Sequence, residues 1–148
     1  KVRRFEVVGA YRDRGVTLPR RSTPGSAGYD LAAAEDTLIP AGGVALVPTG
    51  VKVYVPPGEF LAVFIRSSLA VERGLSLANG VAVIDADYVD NPANEGHILL
   101  AVHNRGPEPV TVRKGERIAQ GVFLPYALAE GDVPGSPRQG GLGSTGRS

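Results

Sequence analysis

Apolar, β-branched stretches recur along the chain, and none of them is long: FEVVGA from Phe5, VALVPTGVKVYV from Val44, EFLAVFIR from Glu59, GVAVIDA from Gly80, HILLAVHN from His97, PVTVRK from Pro109 and IAQGVFLP from Ile118. Turn-forming residues sit between them, at Pro40-Ala-Gly-Gly43, Pro56-Pro-Gly58, Arg105-Gly-Pro107 and Lys114-Gly115. Short strands broken this often by glycine and proline predict an all-β barrel or sandwich. One segment departs from the pattern. Ser67 to Arg73, followed by Gly74, offers a serine N-cap, helix formers and a glycine stop, and predicts a helix of about two turns.

With 148 residues, 43% of them apolar, the chain is long enough for one domain with a real core. From Ala127 onward the sequence turns to EGDVPGSPRQGGLGSTGRS, too poor in apolar side chains to offset the entropy of ordering it. The expected division is therefore a β domain over 1–126 and a mobile glycine-rich arm over 127–148. Sixteen basic and fifteen acidic side chains give a net charge of +1, so no global field selects nucleic acid or an anionic membrane, and any anion must be bound locally. No cysteine is present, which excludes a disulfide frame, a thiolate nucleophile and a cysteine-based zinc site. The two histidines do not suggest a metal cage. With no apolar run near ~20 residues and no charged-then-apolar leader, the expectation is a soluble, cytoplasmic protein.

Five stretches look unlike ordinary core or turn sequence. In GVAVIDADY an apolar strand runs into Asp85 and Asp87, which alternation places on one face of the strand with Tyr88 following. RSSLA offers the forked cation of Arg66, the hydroxyls of Ser67 and Ser68, and the free N–H groups of a helix start, which together suit a polyphosphate. SAGYDL presents Asp30 after a glycine-permitted turn. GERIAQ places Gln120 on a strand after a Lys-Gly turn, and GGLGSTG is small, flexible and rich in N–H donors.

Taken in order, SAGYDL, RSSLA, NGVAVIDADY, GERIAQ and GGLGSTG resemble the trimeric dUTPases, over about Ser22 to Gly146. The resemblance implies a distorted jelly-roll β-barrel forming a homotrimer with active sites between subunits. It implies hydrolysis of dUTP to dUMP and pyrophosphate, with Mg²⁺ on the phosphates and no covalent intermediate. Carried over residue by residue, it makes Asp85 the general base for the attacking water and leaves Asp87 structural. Tyr88 then lies against the deoxyribose and rejects a ribose hydroxyl, while the hairpin from Asn79 through Gly80 to Val83 meets the uracil edge. Arg66, Ser67, Ser68 and Gln120, the last from a neighbouring subunit, hold the phosphate chain, and Asp30 reaches Mg²⁺ through water. The arm closes as a lid, bringing Arg138, Ser144 and Thr145 to the phosphates and Leu142 over the base.

The chain also departs from the family pattern. Ser68 stands where many members have glycine, and Leu142 where phenylalanine is usual, with Arg138 one residue nearer to it. Tyr88 is followed by VDNPAN, about six inserted residues before Glu95-Gly96, which either supply part of a lid or lengthen an exposed turn. Two rival readings share the fold. A dCTP deaminase needs a glutamate near ILLAVHN, where this chain has Ala101, and a non-catalytic nucleotide or protein binder does not need an aligned base.

Overall fold

The computed structural model describes residues 3–138. Eleven strands run in the order β1 (Arg4–Val7), β2 (Tyr29–Ala32), β3 (Thr37–Ile39), β4 (Val44–Pro48), β5 (Val51–Tyr54), β6 (Glu59–Ile65), β7 (Leu75–Leu77), β8 (Ala82–Ile84), β9 (Leu99–Asn104), β10 (Val110–Val112) and β11 (Arg117–Pro125). One helix, α1 (Ser67–Arg73), and one 3₁₀ turn, Gly9–Tyr11, complete the elements of the described residues. All strand pairs are antiparallel, in sheets ordered β2-β11-β6-β8, β4-β9-β7, β1-β5 and β10-β3. The result is an all-β, jelly-roll-like fold, as expected, although its sheets are not joined into one continuous closed barrel. No helix of the described residues is long and apolar enough to cross a membrane.

The core lies between the sheets and is built by alternation. On β9, Leu100, Val102 and Asn104 are buried while Leu99, Ala101 and His103 are only partly so. Leu31, Ile39, Leu61, Leu75, Ile98, Leu100 and Ile118 are fully enclosed, each contributing roughly 1.5–3 kcal/mol by leaving water. Asn104 is buried without penalty because its amide donates to the Ile39 and Glu108 carbonyls and its oxygen accepts from Gly106 N–H.

Three sequence readings are corrected here. VALVPTGVKVYV is two strands in different sheets, because the chain turns at Thr49-Gly50, where Gly50 has φ of 74° and the buried Thr49 hydroxyl bonds the Ile98 carbonyl. The helix is as long as expected and ends on left-handed Gly74, but its N-cap is Arg66, not a serine. No side chain caps it, and the Arg66 carbonyl accepts from Leu69 and Ala70. Asp85 and Asp87 are not on a strand face, since β8 stops at Ile84 and Tyr88 N–H closes a turn on the Asp85 carbonyl at 3.1 Å.

Candidate functional site

One sheet collects four of the five stretches. In β2-β11-β6-β8, SAGYDL runs into β2, GERIAQ runs into β11, RSSLA follows β6, and NGVAVIDADY contains β8. Gln120 is the register partner of both Asp30 and Phe64, and Arg66 N–H bonds the Ile118 carbonyl at 2.9 Å. Asp30, Gln120 and the Arg66–Ser68 segment therefore share one end of the sheet.

At that end Gln120 lies against Gly28. A methyl group on Gly28 would come within 2.2 Å of Gln120 Oε1 and 2.9 Å of its Cβ, so the glycine is what lets the glutamine side chain cross the neighbouring strand. Asp30 Oδ2 accepts from the Ser22 hydroxyl at 2.7 Å and lies 3.4 Å from Arg117 Nη1. These three residues line a cleft of about 560 Å³ together with Arg20, Thr17 and Gly115. Arg117 thus sits in a charged cluster with Asp30, a placement that only the β2–β11 register reveals. Glu116 accepts from Arg73 Nη1 at 2.6 Å and ties the helix to the turn before β11.

The aspartate turn lies at the other end. Ile84 pairs with Leu61, so Asp85 is level with Phe60, whereas Arg66 is six residues further along β6. At ~3.3 Å per residue, Asp85 and Arg66 stand about 20 Å apart. Within one chain the sheet therefore does not bring the carboxylate pair to the cationic segment.

Around the turn, Asn79, Val83, Tyr88 and Arg138 line a small cavity of about 160 Å³ with Ala82, Ile84 and Leu99. Gly80, at φ of 77°, forms the bend before β8, whose burial alternates Ala82 in, Val83 out and Ile84 in. Val83 is 56% exposed on this edge strand, an apolar side chain facing outward beside the cavity. Arg138 donates from Nε to Asp87 at 2.7 Å and from Nη2 to Asp85 at 2.6 Å. The hydrogen bond to Asp87, ahead of the field of both carboxylates, raises the guanidinium's already high pKa. Asp85 and Asp87 are thus joined by a cation as well as by a turn. Leu142, Ser144 and Thr145 lie outside the described residues.

The inserted loop is not a slack turn. Lys52, only 7% exposed, donates to Asp90 at 2.5 Å and Glu95 at 2.8 Å, and Tyr54 donates to Asp90 at 2.6 Å. Glu95 also accepts from Gly9 N–H at 2.8 Å. Both carboxylates are held below their usual range, first by the Lys52 hydrogen bond, while desolvation of Lys52 is outweighed by its two acidic partners. Asn91 and Asn94 knit the interior: Asn91 Nδ2 donates to Tyr88 O and Asn94 Oδ1, and Asn91 Oδ1 accepts from Ala93 and Asn94 N–H. Sequence reasoning missed Lys52, because a lysine within an apolar strand looks like an exposed position until its partners from the loop are seen.

Among the described residues no group of three or more His, Asp or Glu side chains could hold a metal ion. The carboxylate of Asp30 is a hard oxygen donor, and both of its side-chain contacts fall on Oδ2. That donor set cannot enclose a bare ion, but it suits one that keeps its waters and takes its inner ligands from a bound anion.

Known proteins bear on this geometry. The sequence model of the dUTPase family matches residues 14–144. The deoxyuridine 5'-triphosphate nucleotidohydrolase of Lactococcus lactis is 48% identical over 148 residues, covering 99% of each chain, and that of Desulfitobacterium hafniense is 43% identical over 145 residues, covering 93% of this chain and 92% of its own. The crystal structure of dUTPase from Streptococcus mutans superposes with a TM-score of 0.81 at 50% identity, covering 86% of this chain and 98% of that one. A family match across most of the chain, full-length relatives well above 30% identity and a shared fold agree, and the chain belongs to the dUTPase family of hydrolases.

Proposed function

We propose that the chain hydrolyses dUTP to dUMP and pyrophosphate, with Asp85 as the general base that activates water for attack on the α-phosphorus. The observation that carries this reading is the turn Asp85–Tyr88 at the mouth of a cavity lined by Asn79, Val83 and Tyr88. It places a carboxylate beside a pocket with an amide, an apolar wall and an aromatic ring, the groups a pyrimidine nucleoside calls for. The cavity is smaller than the ~300–1,000 Å³ usual for a whole ligand, and fits part of a nucleotide.

The phosphates need the other end of the sheet. A base must lie ~2.6–3.2 Å from the water it deprotonates, and that water ~3–3.5 Å from the phosphorus. The Arg66–Ser68 segment cannot serve the same phosphorus as Asp85 of its own chain across about 20 Å of β6, and Gln120, level with Phe64, stands about 13 Å from it along the sheet. A second copy would supply the missing half, which supports sites between subunits, and the family resemblance makes the assembly a homotrimer. The Asp30 donor set fits Mg²⁺ held through water, and the ion when bound would neutralise phosphate charge. Arg138 enters as the cation that neutralises the aspartate pair, and a phosphate that draws its guanidinium competes with Asp85 and Asp87 for its donors. Both hydrogen bonds of the Tyr88 hydroxyl are to protein groups, so it can offer a sugar only its ring, a surface that opposes a 2′-hydroxyl.

The test is incubation with each deoxynucleoside triphosphate and Mg²⁺, with products separated. Pyrophosphate and monophosphate from dUTP alone are expected, whereas ammonia release or no turnover overturns the reading. Asp85→Asn should retain nucleotide affinity within a few-fold and lower single-turnover rates by about 10²- to 10⁴-fold, the range for a lost general base. A near-normal rate would remove Asp85 from that role.

A further inference from the structure

Tyr88 is anchored at both ends of its side chain. Its ring is half-buried and packs on the core. Its hydroxyl donates to the His97 carbonyl at 2.6 Å and accepts from Asn94 Nδ2 at 2.9 Å. Asn94 is itself fixed, since its Oδ1 accepts from Asn91 Nδ2 at 2.9 Å and Gly96 N–H at 3.0 Å, and its carbonyl accepts from His97 N–H at 3.1 Å. Asn91, only 6% exposed, grips the Tyr88 carbonyl from behind at 2.7 Å. The loop is then bolted to β5 and to the turn after β1 by Lys52 and Gly9, through Asp90 and Glu95. Asp90 and Glu95 have φ of 58° and 67°, values that bulkier residues avoid and that the ion pairs hold in place.

From this arrangement we infer that the inserted residues Val89–Asn94 are a clamp that fixes the Tyr88 ring, and that Asn94 is a positioning residue for sugar discrimination. The inference rests on the reading of Tyr88 given above and deepens it. A ring that excludes one hydroxyl must not yield by a fraction of an ångström. Rotation about the Cα–Cβ bond swings the far end of the ring most, and Asn94 with the His97 carbonyl holds that end. Among the described residues the loop meets the proposed site at Tyr88, so it tunes selectivity without contributing to the chemical step.

The experiment measures kcat/KM for dUTP and UTP with the native chain, Tyr88→Ala, Tyr88→Phe, Asn94→Ala and the double variant Tyr88→Phe/Asn94→Ala. Both substrates are assayed on the same preparation, so the ratio cancels any loss of folded enzyme and a purely structural defect leaves it unmoved. Asn94→Ala should lower the dUTP-to-UTP ratio by roughly 2- to 12-fold, the worth of one neutral hydrogen bond, and Tyr88→Phe, which also loses the bond to the His97 carbonyl, by at least as much. The double variant should fall no further than Tyr88→Phe alone, because that change already removes the bond that Asn94→Ala cuts. If Tyr88→Ala lowers the ratio while Tyr88→Phe and Asn94→Ala leave it unchanged, or if the two effects add, the clamp is refuted and the sugar-facing role of Tyr88 stands. If Tyr88→Ala leaves the ratio unchanged, that role fails and the clamp fails with it.

Discussion

Replacing Gly96 by alanine tests whether the inserted loop is as rigid as its hydrogen bonds imply. Gly96 has φ of 85°, and a methyl group there would lie 2.6 Å from Val89 Cα, 2.9 Å from Asp90 N and 2.9 Å from the Tyr88 carbonyl oxygen. All three are main-chain atoms, so no side-chain rotation relieves the overlap. Gly58 is the control, with φ of 88° and no atom within 4 Å of the added carbon. An alanine forced into left-handed backbone costs about 1–2 kcal/mol at either site. At Gly96 overpacking adds about 1–3 kcal/mol, for a total of roughly 2–5 kcal/mol. The difference between the variants, ~1–3 kcal/mol at ~2–4 °C per kcal/mol for a chain of this size, is a gap of ~2–12 °C in Tm. Thermal unfolding at one fixed protein concentration reads it, since association makes Tm concentration-dependent. Equal losses from Gly96→Ala and Gly58→Ala would mean that the loop at Tyr88 yields freely, and the argument for a fixed ring would collapse.

Two further outcomes follow from other sites. Gly28→Ala should push the Gln120 side chain off its seat and weaken dUTP binding by about as much as Gln120→Ala, roughly 10- to 150-fold if one charge-assisted hydrogen bond is lost; wild-type KM in Gly28→Ala would show that Gln120 works from another position. His97 is partly buried with Nε2 accepting from Gly50 N–H at 2.8 Å, and burial holds its pKa below the usual value against the opposing fields of Glu35 and Glu95. The unfolded chain therefore takes up a proton near pH ~6.5 before the folded one does, so stability from this group is present above that pH and is lost as pH falls through the folded pKa. Tm should drop between pH 7.5 and 5.5, and His97→Asn should flatten the drop; an unchanged slope would assign it to other groups.

What was legible in the sequence divides along a physical line. Strands with several apolar positions in alternation, such as β6 and β9, announced themselves, as did a helix bounded by Gly74, because those signals are local. β2, β3 and β7, of three or four residues, carried too little periodicity to be separated from turns, and their state is set by the partners β11, β10 and β9. The stretches that bear chemistry were recognisable as composition, but their grouping was not. Only the antiparallel register of β6 and β8 shows that Arg66 and Asp85 point to opposite ends of one sheet.

The inserted loop makes the same point in reverse. Val89–Asn94 reads as a polar excursion, open to use as a cover or as slack, because Asp, Asn and Pro are the residues of exposed turns. Its meaning depends on Lys52, far away in sequence and buried in β5, where an unpaired ammonium would be costly. Lys52 and the loop are each unfavourable alone: the lysine needs acidic partners, and the positive φ values of Asp90 and Glu95 need something to hold them. Each supplies what the other lacks, and the ring of Tyr88 is fixed as a consequence of that mutual dependence.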